Sequence, residues 1–144
     1  MSRLALLNMF IGFVVLSLVA AAGSFLATEI TEGYLHDPGA LESWRLLISK
    51  SAHGHTNLFS IIHILFGLTL PYSGLSTRSK LAQTVGLGLG TLAMGPVMLL
   101  RAYIGPTSKL DSVEVCLGIM LSAALLALAT HAAGLALRLM RRSQ

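Results

Sequence analysis

Charge is the scarcest commodity in this chain. Only 11% of its residues are Asp, Glu, Lys or Arg, and only six are acidic. A soluble domain of 144 residues carries more, so the water-soluble classes are excluded first. The lone cysteine, Cys116, excludes an intrachain disulfide. It lies in an apolar stretch and is expected to be a buried, inert thiol. No phosphate-binding glycine loop is present, and Ser, His and Asp stand in no triad context, so catalysis of the ordinary hydrolytic kinds has no support. The net charge of +4 has no basic run behind it, which argues against a nucleic-acid partner.

What fills the space instead is apolar sequence, 54% of the chain. No Asp, Glu, Lys or Arg occurs in 4–28, 51–77, 81–100 or 115–137. Each run approaches or exceeds the ~20 residues needed to cross a hydrocarbon core. Backbone groups in lipid must be satisfied within a segment, so helices are expected. The reading is one all-α domain, an integral membrane four-helix bundle over residues 1–144, with helices at about 4–28, 52–72, 81–104 and 112–138. The first run, with Arg3 before it and Ala20-Ala21-Ala22-Gly23 within it, has features of a secretory signal. It is read as helix 1.

Basic residues mark one side. Arg3, the pair Arg78 and Lys80, and Arg138, Arg141 and Arg142 alternate with a first loop rich in Glu29, Glu32, Asp37 and Glu42. The positive-inside rule then expects both termini in the cytoplasm, in a bilayer such as a bacterial inner membrane. His36-Asp37-Pro38-Gly39 is turn chemistry. Ala40 to Lys50 reads as a short interfacial helix with Leu41, Trp44, Leu47 and Ile48 on one face, or as a lid. On helix 3, Gly86 and Gly90 form a close-approach face and Pro96 predicts a kink.

The chemistry concentrates on helix 2: Ala52-His53-Gly54-His55-Thr56-Asn57, then His63. Ionisable groups inside membrane helices are functional candidates by default. Residues two apart on a helix differ by about 200°, so His53 and His55 point to opposite flanks and do not share a small ion. Each suits one axial position of a heme, and Gly54 leaves room for a macrocycle. Arg101, near the outer end of helix 3, is a candidate for pairing with heme propionates. His63 is a further cofactor-binding candidate, a proton relay, or a neutral histidine bonded between helices, the last being preferred. His131 is expected in an interhelical hydrogen bond and His36 in a solvated turn.

Ala52-His53-Gly54-His55, followed by an apolar helix with Gly67, resembles the Ala-His-x-His helix of heme–copper oxidase and nitric oxide reductase catalytic subunits. The resemblance covers about twenty residues. It implies that His53 and His55 are the metal ligands of heme b, and that four helices are one third of a twelve-helix arrangement completed by a homotrimer. The chain lacks that family's His-His and His-Pro-Glu-Val-Tyr motifs, which turns the expectation from oxygen or nitric oxide reduction to electron transfer. A quinol or a periplasmic redox protein is the expected partner, alongside the lipid bilayer. Two rivals remain from the residues themselves. Met94 and Met98, a Met-x3-Met pair, suit Cu(I) and a copper transporter or chaperone. A non-catalytic accessory subunit would use its histidines for helix contacts alone.

Overall fold

The computed structural model describes residues 2–39 and 43–142, with no strand among them. Helix α1 spans Arg3–His36, α2 spans Trp44–Thr69, α3 spans Thr77–Leu92, α4 spans Met98–Ile104 and α5 spans Ser112–Arg142. A π-helical segment, Ala93–Val97, joins α3 to α4, so the chain forms four rods. Three of them, Arg3–His36, Thr77–Ile104 and Ser112–Arg141, are long and apolar enough to cross a membrane. The α2 rod has the length, 26 residues, but three histidines and Asn57 lower its hydropathy.

All four rods run past an expected end, α1 and α2 furthest, and for one reason. A charge ends an apolar run without ending a helix. Glu29 and Glu32 continue α1 because Arg45 and His36 lie 3.6 and 3.4 Å from their carboxylates. The helix stops at Asp37, before Pro38 and Gly39, where the expected turn lies. Trp44 to Lys50 are the first turns of α2, so the expected separate interfacial helix is corrected to a continuous one. Its Ser43 N-cap accepts from the Leu46 amide. Leu46, and not Leu47, is the buried leucine; Leu41 lies outside the described residues. At its other end α2 tightens into a 3-10 turn over Leu70–Tyr72, where Pro71 withholds an N–H.

The rods approach closely wherever glycine faces a neighbour. A Cβ on Gly12 would stand 2.6 Å from the Ser60 carbonyl of α2, and one on Gly67 would stand 2.6 Å from the Ala5 carbonyl of α1. These two contacts press α1 and α2 together over several turns. Gly86 meets Ala123, and Gly90 meets Phe59 and Ala124, so the expected glycine face serves packing. The buried core gathers Ala5, Phe59, Phe66, Leu70, Leu87 and Ala124, with Met94 packed against it.

The expected kink at Pro96 is a π turn. The Met98 amide reaches the Ala93 and Gly95 carbonyls and leaves that of Met94, its regular partner, free. The Thr56 hydroxyl lies 3.1 Å from that carbonyl. Arg138 donates to the Pro71 carbonyl at one end of the rods, and Arg101 meets Asp111 and Glu114 at the other.

Candidate functional site

His55 stands on the exposed flank of α2. Its Nδ1 is 2.8 Å from the Ser51 carbonyl oxygen. The Ser51 hydroxyl lies 3.3 Å from the same nitrogen; a carbonyl only accepts, so the shorter contact, made as a hydrogen bond, puts the hydrogen on Nδ1 and leaves a neutral ring its lone pair on Nε2. Metal-ligating histidines are oriented in this way, with the second ring nitrogen donating to a carbonyl or carboxylate. Beside it, Gly54 is exposed, and a Cβ there would meet nothing within 4 Å. Leu58, Ile61 and Leu65 extend the same flank as an exposed apolar strip.

His53 occupies the other flank. Its ring sits against Gly23 of α1, where a Cβ would be 2.7 Å from Cε1. Its Nε2 accepts from the Asn57 side-chain amide at 3.1 Å. With Ala52 and Thr56 it floors a cavity of about 410 Å³, walled by Val19 and Ala22 of α1 and by Thr91, Gly95 and Pro96. Leu18 and Leu92, both exposed, also line it. Its size lies in the range of small-molecule sites. A larger hollow of about 660 Å³ between α3 and α5 is shallow and almost wholly aliphatic, with Gln83 and Thr130 as its inner polar groups, and these bond to each other. His53 and His55 thus face different surroundings, as the helical period requires.

His63 is fully buried, with Nδ1 3.0 Å from Asn8 Oδ1 of α1 and Nε2 3.1 Å from Thr91 Oγ1 of α3. It bridges three helices, as its preferred reading expected. His131 lies 2.9 Å from Thr69 Oγ1 and packs on Phe66, again across helices. His36 is exposed beside Glu32. Cys116 is exposed on α5 with its thiol 3.5 Å from Met120 Sδ, which corrects the expectation of a buried thiol: the first turns of α5 have no helix over that face. Met94 packs against the core and lies within the π segment that precedes Met98. Among the described residues no three His, Cys, Asp or Glu side chains converge on a metal position.

Arg101 is occupied by the chain's own carboxylates. Its side chain is 7% exposed and donates to Asp111 at 3.0 Å, Glu114 at 2.5 Å and Thr107 at 3.0 Å. The Trp44 ring lies 5.6 Å from its guanidinium, and the Trp44 indole donates to the Arg101 carbonyl. Thr56 faces Gly95, six residues before Arg101, so Arg101 stands about 9 Å beyond the level of Thr56, and His55 and His53 lie about 1.5 and 4.5 Å along the way. The loop between α4 and α5 folds back through Gly105, whose φ of 88° needs glycine.

Asp111 caps α5. The Glu114 amide is the main reason its carboxyl sits below the usual value of 3.8; burial opposes this, and Thr107, Arg101 and the Val113 amide add to it. A carboxyl lowered on folding stabilises above its unfolded value, and that contribution disappears as pH falls through the folded value. Thermal melts in detergent are therefore expected to drop below about pH 4, and Asp111→Asn is expected to flatten that drop while lowering stability at neutral pH.

Asn8 and Thr91 are the site residues that sequence reading passed over. The available signal was a single asparagine within an otherwise apolar run.

Comparison of the chain with protein-family models, with curated proteins and with solved structures gave no match.

Proposed function

We propose that α2 crosses the bilayer together with the three apolar rods and presents His55 as an axial ligand to heme b, in a membrane cytochrome that transfers electrons. One observation carries this reading. The Ser51 carbonyl fixes the His55 ring with its Nε2 lone pair free on an exposed apolar flank. In lipid such a lone pair has no water to bond, and an unpaired polar group there is costly. An iron centre satisfies it, and the open space at Gly54 and the apolar strip below fit a flat hydrophobic ring. Bound there, heme b supplies reversible one-electron chemistry at iron.

His53 completes the reading in an oligomer. A homotrimer on the twelve-helix pattern would bring His53 of one protomer to the heme held by His55 of the next. For that, Asn57 must release the His53 Nε2 it now holds. Arg101 is left out of the heme site, because two carboxylates already take its donors. A quinol or a periplasmic redox protein would deliver or accept the electron, with both termini in the cytoplasm of a bacterial cell.

The test is spectroscopic. Purified from heme-replete cells, the protein is expected to show sharp α and β bands on dithionite reduction and stoichiometric heme in a pyridine hemochrome assay. His55→Ala is expected to abolish these bands, and His63→Gln to keep them. A heme-free wild-type protein would overturn the reading.

A further inference from the structure

The hydrogens around His63 can be assigned from their acceptors. Asn8 Nδ2 lies 2.8 Å from the Leu4 carbonyl and 2.9 Å from Thr84 Oγ1. The carbonyl only accepts, so this side of the amide is the NH2 group and Oδ1 faces His63 Nδ1. Nδ1 therefore carries a hydrogen in any charge state of the ring.

The other nitrogen has a choice. His63 Nε2 is 3.1 Å from Thr91 Oγ1, and that oxygen is 3.2 Å from the Leu87 carbonyl. Thr91 has one hydroxyl hydrogen and two acceptors for it. With a neutral ring, the hydrogen points to Nε2. With a proton on Nε2, the ring donates to Oγ1 and the hydroxyl turns to Leu87. Every ring nitrogen stays bonded in both states, and no heavy atom moves. A histidine held only as helix glue needs just one of these arrangements.

Thr91 is also the outlet. It lines the 410 Å³ cavity that His53 and Thr56 floor, while His63 lies behind it, fully buried. We propose that His63 and Thr91 form a proton-exchange site that takes a proton from the cavity and stores it on His63 Nε2. A hydrated proton that reaches the cavity as H3O⁺ gives its proton to Thr91 Oγ1 as the threonine's own proton passes to Nε2, and a neutral water is left behind. Release is the reverse. The neighbours on the ring are uncharged: Asn8 from α1 and Thr91 from α3. On the flanking helices, Lys80 offers the network only its carbonyl, through Thr84, and His131 of α5 is bonded to Thr69, six residues further along α2. Arg3 and Arg78 lie toward the helix starts. The proposal does not rest on heme.

The test uses the full chain in detergent with ¹⁵N-labelled histidine. His63 is assigned by difference from His63→Gln, or, should that variant not fold, by the resonance that Thr91→Ser and Thr91→Val perturb. On acidification the Nε2 signal is expected to pass from unprotonated to protonated in one reversible step with unchanged circular dichroism. Thr91→Val is expected to move that step by about one pH unit or more, and Thr91→Ser to restore it. Leu92→Trp, which adds bulk to the cavity lining, is expected to slow exchange of the Nε2 proton about tenfold. A ring that stays unprotonated until the protein unfolds, a Thr91→Val step identical to wild type, or unchanged exchange in Leu92→Trp would overturn the proposal.

Discussion

Gly67→Val is expected to destabilise the protein by about 3 kcal/mol or more and to separate α1 from α2. A Cβ at Gly67 would lie 2.6 Å from both the Ala5 carbonyl and Met9 Cγ, and 3.1 Å from the Met9 amide. A flexible side chain can turn aside, but a helical backbone cannot without moving the whole rod. Overpacking elsewhere in a core costs about 1–3 kcal/mol because side chains absorb part of the volume, and here backbone removes that relief. The effect extends beyond stability. Asn8 lies between the Gly67 contact at Ala5 and the reciprocal one at Gly12, so a displaced α1 draws Asn8 from the 3.0 Å bond to His63. The check is denaturation in mixed micelles, together with the ring signal of His63, which is expected to lose its bonded Nδ1 position. Gly54→Ala, with open space around it, is the control and is expected to leave both readings near wild type.

Arg101→Ala is expected to cost about 2–3 kcal/mol, more than removal of any other charged residue. The magnitude is set by position. The arginine side chain is 7% exposed, whereas Asp111 and Glu114 are 27% and 34% exposed. A fully exposed pair contributes below about 1 kcal/mol, and one partner lost from a fully buried pair costs about 3–5 kcal/mol, so a half-buried cluster lies between. The alanine variant also leaves two carboxylates repelling each other and strips the guanidinium from the Trp44 ring. Arg101→Lys is expected to recover only part of the loss, since one ammonium cannot reproduce the planar fork shared by Asp111, Glu114 and Thr107. Adding Glu114→Gln to Arg101→Ala is expected to restore some stability by removing that repulsion. Thermal melting at low and high salt checks both, and a drop no larger than that of an exposed pair would place Arg101 outside the fold's supports.

Some of this was legible in the residues. Four charge-free runs set the helices, because a backbone in lipid has only that way to bond itself. The opposed directions of His53 and His55 followed from the turn of a single helix, and His63 and His131 were read as bonds between helices before their partners were known. The ends of α1 and α2 were misplaced because a charge limits burial while the helix continues into water, where Glu29 and Glu32 find Arg45 and His36. Pro96 announced a break, but its π form depends on how the Met98 amide and Thr56 share the freed carbonyls.

The residues by themselves therefore decided the class of the protein, its rods, and the directions in which the histidines of α2 point. These are local properties, fixed by hydropathy and a period of 3.6 residues. The tertiary structure decided which side chains are already engaged. It gave Arg101 to Asp111 and Glu114, His63 to Asn8 and Thr91, His131 to Thr69, and it left His55 Nε2 free on an open flank. Those outcomes depend on the rotation and register of one rod against another. Backbone contacts at Gly12, Gly67 and Gly86 set that register, and no periodicity within a single helix contains it.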